Sequence, residues 1–188
     1  MGKLMEDGIA VLISGRGSNL RAILRAPAGA KVAAVISDNP RAAGLQIAEE
    51  YDKPAFVVAP EDFSSAAEWA EKLAELLRAA RPKIIALAGF MRVLPPSVVR
   101  EFAGRMVNIH PSLLPQFPGL RTHARALAAG AQRHGCTAHY VSEKVDGGEV
   151  IARREVAVLP GDDENTLAAR VLEQEHLLYP QVLSALLE

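Results

Sequence analysis

Three short segments of this chain carry side chains that could do chemistry together. The first is Asn108-Ile109-His110-Pro111. Strand alternation puts Asn108 and His110 on one face, and an amide donor beside an imidazole can stabilise negative charge developing on a carbonyl oxygen. The second is Ser14-Gly15-Arg16-Gly17-Ser18-Asn19. Its glycines let backbone approach a ligand, and the helix it opens offers free N–H groups to a phosphate. The third is Asp146-Gly147-Gly148, an acid on a loop that could pair with an imidazole and favour its charged form. Each segment also has a plainer reading: a histidine satisfied by backbone in a crowded loop, a tight βα turn, and a hairpin turn.

Other candidates are weaker. No Gly-Lys-Ser/Thr follows the first glycines, so they are not a Walker loop, and Leu20 interrupts a dinucleotide fingerprint. Asp38 could be a ribose-binding acid after the second strand, but Asp38-Asn39-Pro40 also reads as a turn, and the turn is preferred. Cys136 could be a nucleophile with His110 or His139 as base, but no activating context is visible. His134, Cys136 and His139 match no standard zinc spacing, so no metal is expected. Gly89 to Leu94 is an apolar edge with one cation, suited to a flat aromatic ligand or to core packing.

Short apolar runs alternate with amphipathic stretches around these segments. Strands are expected at Ile9–Ile13, Lys31–Ile36, Ala55–Val58, Lys83–Ala88, Met106–Ile109, Gly135–Val141 and Val150–Val158. Helices are expected at Asn19–Arg25, Ala43–Glu50, Ser64–Ala80, from Pro95-Pro96 to about Phe102, and from a cap at Asp162 or Asp163 to about Leu187. Pro111 to Gly119 reads as one long loop. The alternation predicts a single-domain α/β fold: a Rossmann-like, mostly parallel sheet in the N-terminal half, a mixed C-terminal half, and helices on both faces.

The 188 residues suit one domain. With 21 basic and 22 acidic side chains the formal charge is −1, which gives no general field for nucleic acid. A single cysteine allows no internal disulfide, and no run approaches the roughly 18 apolar residues of a membrane span. A cytoplasmic protein is expected, with neither nucleic-acid nor membrane partners.

In this order and at these spacings, Val11 to Leu20, Leu87-Ala88-Gly89-Phe90-Met91-Arg92, Asn108 to Pro115, Pro118-Gly119-Leu120 and Asp146-Gly147-Gly148 resemble the phosphoribosylglycinamide formyltransferase (glycinamide ribonucleotide transformylase) family of folate-dependent formyltransferases. The match runs from Val11 to Pro180. It implies transfer of the formyl group of 10-formyltetrahydrofolate to the amine of glycinamide ribonucleotide in purine biosynthesis. It implies catalytic roles for Asn108, His110 and Asp146, and a phosphate cradle of Gly15, Arg16, Gly17, Ser18 and Asn19. Pro111 and Glu175 would contact the substrate. Met91, Arg92, Val93 and Leu94, with Val141, Ser142, Glu143, Lys144 and Val145, would line the folate pocket. A phosphate-binding half of about residues 1–100 would precede a catalytic and folate-binding half of about 101–188, in a monomer or weak homodimer without metal. Leu172 departs from a position where the family can carry glutamine, so that contact is not carried over. Methionyl-tRNA formyltransferase resembles the chain through Ser112 to Pro115, but its extra C-terminal domain and basic surface are not evident here. Formyltetrahydrofolate hydrolase is the alternative, because water could replace the amine. A nucleotide-binding module without chemistry is the other.

Overall fold

Ile9–Ile13 forms the central strand β1, and every residue of it is buried. Ile9, Val11 and Ile13 pack to one side with Leu20 and Ile23, while Ala10 and Leu12 pack to the other with Trp69 and Leu73. A strand covered on both faces has no solvated side, which is why its sequence is a continuous apolar run. The computed structural model describes residues 7–188; the first six residues of the expected 1–188 domain lie outside them.

Around β1 lie β2 (Val32–Ser37), β3 (Ala55–Val57), β4 (Ile84–Leu87), β5 (Met106–His110), β6 (Arg133–Tyr140) and β7 (Val150–Ala157). Their order is β3-β2-β1-β4-β5-β6-β7 in one sheet. The first five pair in parallel, and β6 is antiparallel to both β5 and β7. The expected α/β class with a parallel and a mixed half is what forms. The helices are α1 (Ser18–Arg25), α2 (Ala43–Glu50), α3 (Ala66–Ala80), α4 (Pro96–Glu101), α5 (Thr122–Ala128) and α6 (Glu164–Leu187). The apolar faces of α1 and α6 meet one side of the sheet, and those of α3 and α4 the other.

Most strand boundaries and the start of α3 shift by one or two residues from expectation, and two differences have a visible cause. The proline-rich stretch after β5 ends in the short helix α5, entered through Arg121 at φ +55° without a side-chain cap. Strand β2 starts one residue later than expected, because Lys31 closes a 3₁₀ turn at Pro27–Lys31. Of the two expected caps for α6, Asp163 is the one used: its side chain accepts from Thr166 N–H at 2.8 Å, and Thr166 Oγ1 accepts from Asp163 N–H at 2.9 Å.

The crossover from β3 to β4 passes to the far side of β1. The loops after β1 and β4 therefore lead to helices on opposite faces, which opens a crevice at the carboxyl edge. The crevice wall depends on a close approach of α1 and α2. A Cβ on Gly17, whose φ is +75°, would lie 2.6 Å from Gly44 Cα and 2.9 Å from Ile47 Cδ1. A Cβ on Gly15 would meet nothing within 4 Å. Gly17→Ala should cost roughly 1–3 kcal/mol of stability, and Gly15→Ala under about 0.5. Chemical denaturation of the two variants measures this; a larger loss for Gly15→Ala would contradict the packing argument.

Candidate active site

The loop after β1 carries the glycine segment. The first helical bond of α1 runs from Arg21 N–H to Gly17 O at 2.9 Å, so the N–H groups just before it have no intrahelical acceptor. Gly15 and Arg16 are exposed and Ser18 is half-buried. Packing against α2 requires Gly17 to be glycine, a constraint the sequence does not reveal, and the open space lies at Gly15. Asn19 also turns inward, and its Nδ2 donates to Glu175 Oε2 at 2.7 Å. Glu175 is 6% exposed, and burial pushes its carboxyl above the ordinary range while the Asn19 amide opposes the shift. The second Nδ2 hydrogen and the backbone N–H of Asn19 are not used in that contact. Leu172, one turn before Glu175 on α6, is half-buried.

Ser14 joins this loop to the next. Its hydroxyl accepts from Met91 N–H at 2.9 Å, and its carbonyl accepts from Asn39 Nδ2 at 3.1 Å. Met91 and Val93 are exposed beside the crevice, whereas the Leu94 side chain packs into the core with Val98 and Phe102. Arg92 reaches back to Asp38, with Nε 3.4 Å from Oδ2, and its guanidinium carbon lies 5.8 Å from the Trp69 ring centroid. Asn39 Oδ1 accepts from Arg41 N–H at 3.0 Å, so the segment after β2 is the turn its composition suggests.

Strand β5 ends at the same edge. Tyr179 on α6 is fully buried, and its hydroxyl lies 3.0 Å from Leu87 O and 2.8 Å from Val107 O. It thus ties β4 to β5 next to Asn108, the register partner of Leu87. Beyond His110, half-buried Pro111 starts a loop held by side chains. Thr137 Oγ1 donates to Ser112 O at 2.7 Å and accepts from Leu114 N–H at 3.0 Å.

Asp146 arrives from the connection between β6 and β7. Its backbone takes φ +51°, and a Cβ on Gly148 would fall 1.7 Å from Tyr140 O, so only glycine lets the chain turn there. Val141 and Ser142 are half-buried, Glu143, Lys144 and Val145 exposed, and Glu143 pairs with Arg100 at 3.0 Å. The turn leaves the Asp146 side chain 9% exposed, with Oδ2 at 3.4 Å from His110 Nδ1. The same oxygen accepts from Gly119 N–H at 2.7 Å. The other ring nitrogen of His110 lies 3.1 Å from Phe117 O. The His110 ring thus lies between a carboxylate and a carbonyl.

The structure thus brings Asn108, His110 and Asp146 together and adds His139, which sequence reasoning weighed only as a base or metal ligand. His139 Nε2 is 3.2 Å from Asn108 Nδ2 and 3.7 Å from Asp146 Oδ1. Its place beside Asn108 comes from the antiparallel pairing of β5 and β6, which sets residue 139 directly across from residue 108. Cys136 sits in the core, where burial pushes its thiol up to about 12, which argues against a thiolate nucleophile. Among the described residues no group of three or more potential metal ligands converges.

His134 lies 1% exposed below this site, stacked edge-on against His123 with ring centroids 5.2 Å apart. Burial pushes it down to about 4, with the charges of His123 and His110 adding to the effect. An imidazole depressed in the folded state is protonated more readily by the unfolded chain, so stability falls as pH drops from 6.5 toward 4. For this side chain the loss is on the order of 3 kcal/mol. Glu175, raised by burial, acts in the opposite sense. Thermal midpoints of wild type and His134→Phe across that window isolate the histidine: the variant should show the shallower acid limb. Identical limbs would contradict the assignment.

Residues 8–183 match the family model described as formyl transferase. The chain is 43% identical over 180 residues to phosphoribosylglycinamide formyltransferase of Escherichia coli, covering 94% of this chain and 85% of that one. It is 46% identical over 184 residues to the trifunctional purine biosynthetic protein adenosine-3 of Drosophila melanogaster. That match covers 95% of this chain but spans only 14% of the fly protein's length. The crystal structure of glycinamide ribonucleotide transformylase 1 from Geobacillus kaustophilus superposes with a TM-score of 0.92 at 39% identity, covering 98% of this chain and 100% of that one. The crevice between the glycine loop and the Asn108–His110–Asp146 group is therefore carried by a chain that belongs to the formyl transferase family.

Proposed function

We propose that this chain transfers the formyl group of 10-formyltetrahydrofolate to the amine of glycinamide ribonucleotide, giving formylglycinamide ribonucleotide in purine biosynthesis. The observation that carries the reading is the convergence of an amide, an imidazole and a buried carboxylate at the end of β5, in a chain so similar to phosphoribosylglycinamide formyltransferases. The chain acts as one formyltransferase domain. The substrate phosphate rests on backbone N–H groups of the glycine loop, with exposed Arg16 contributing little, and Pro111 and Glu175 face the glycinamide. The folate lies along Met91 to Val93 and the loop from Val141 to Val145, with Leu94 supporting that edge from inside.

The amine nitrogen attacks the formyl carbon, and the carbonyl π electrons move onto oxygen. Asn108 and His110 donate to that oxygen. His110 Nε2 already donates to a carbonyl, that of Phe117, and the formyl oxygen takes this place when substrate binds. Asp146, beside the His110 ring, directs proton transfer from the attacking amine, through water, to N10 of the folate. The bond between the formyl carbon and N10 then breaks as the carbonyl re-forms. Charge stabilisation by two donors leaves no step that calls for a metal. Among the described residues no helix is long and apolar enough to cross a membrane; a cytoplasmic monomer or weak homodimer fits this chemistry.

The test is consumption of 10-formyltetrahydrofolate with and without glycinamide ribonucleotide. Turnover should require the amine, and formate release indifferent to it would contradict the proposal in favour of the hydrolase. Asn108→Ala should lower kcat by about 10²–10³-fold, or roughly 2.7–4 kcal/mol, with KM little changed.

A further inference from the structure

His139 touches the site, yet the transfer as described gives it no task. It is 2% exposed, on β6, directly opposite Asn108 on β5. Its Nδ1 lies 2.8 Å from Tyr140 O. A carbonyl can only accept, so Nδ1 carries the hydrogen. In the neutral ring Nε2 is then a bare acceptor, and it faces Asn108 Nδ2 at 3.2 Å.

We propose that His139 is a positioning residue whose unprotonated Nε2 fixes the orientation of the Asn108 amide, so that nitrogen rather than oxygen faces the reacting formyl group. Flipping the amide would put Asn108 Oδ1 against the Nε2 lone pair, two acceptors in contact. In the observed orientation one N–H of Asn108 is held by His139 and the second is left for the developing oxyanion. A charged His139 would lose this effect, because its new Nε2–H would turn toward Asp146 Oδ1, 3.7 Å away, and release Asn108. Burial disfavours that charged form, although the Tyr140 carbonyl and Asp146 pull the other way. An acidic or aliphatic side chain at 139 would supply no neutral acceptor of this kind. The inference rests on the donor role proposed for Asn108.

Two measurements test it. In ¹⁵N-histidine NMR of the whole protein at neutral pH, His139 should show a protonated Nδ1 and a bare Nε2. An Nε2–H tautomer or a charged ring would overturn the proposal, and this reading needs no variant to fold. In kinetics, His139→Phe should lower kcat by about ten- to a hundredfold, up to the cost of losing the donor itself, with both KM values within about twofold of wild type. His139→Gln, whose carbonyl oxygen can take the place of Nε2, should recover most of that loss. In an Asn108→Ala background His139→Phe should cost nothing further. Multiplying losses in the double variant, or wild-type kcat in His139→Phe, would overturn the positioning role while leaving the transfer reaction intact. Wild-type turnover in Asn108→Ala would sink the donor role and this inference with it.

Discussion

A buried carboxylate constrains the whole carboxyl edge of the sheet. The Asp146 side chain is 9% exposed, and an ionised group so removed from water is tolerated only when paired and hydrogen-bonded. Its partners come from separate parts of the chain: the His110 ring from β5 and the Gly119 N–H from the loop beyond it. Each partner depends on something more distant. Gly119 is presented by a loop whose Pro118 carbonyl accepts from Arg125 on α5 at 2.5 Å. The carboxylate reaches its place because Gly148 lets the backbone pass under Tyr140 O. The negative charge, the positive φ at Asp146 and the proline-rich loop are thus parts of one compensation.

The parallel half of the fold supplies a second constraint, which is separation. The loops after β1 and β4 leave toward opposite faces, so the start of α1 and the edge at Met91 approach β5 from different sides. Ser14 fixes the two loops to each other through Met91 N–H. Tyr179 fixes β4 to β5 beneath the reactive end. Groups at the ends of three strands therefore keep their spacing even though the candidate site is built largely from loops.

Much of this was legible in the residues. Ile9–Ile13 could hardly be anything but a central strand, and Trp69, Leu73 and Leu77 spell out the buried face of α3. The mixed half was legible in outline, since Asp146-Gly147-Gly148 joins two strand-like runs. What was hidden depends on contacts between distant segments. Helix α5 has seven residues and no side-chain cap; its order comes from burial of Thr122 and Ala126 and from Arg125 binding a loop carbonyl. Nothing in the sequence around Asn19 points to Glu175, which α6 brings against its amide, and Leu94 reads equally as a ligand-facing edge or as core until α4 and Phe102 cover it. His139 reads from sequence only as a possible base or metal ligand, because its relation to Asn108 exists only once β5 and β6 are paired.

The central claim is that the Asp146 carboxylate acts in the chemical step and is more than the corner of a turn. Asp146→Asn preserves the side chain's shape while removing its charge. The decisive measurement is the single-turnover rate of formyl transfer in this variant, taken beside calorimetric binding of glycinamide ribonucleotide. The account predicts near wild-type binding with the transfer rate reduced by about 10²–10⁴-fold, the range of a lost acid–base group. A wild-type transfer rate would contradict it and leave Asp146 as a structural residue.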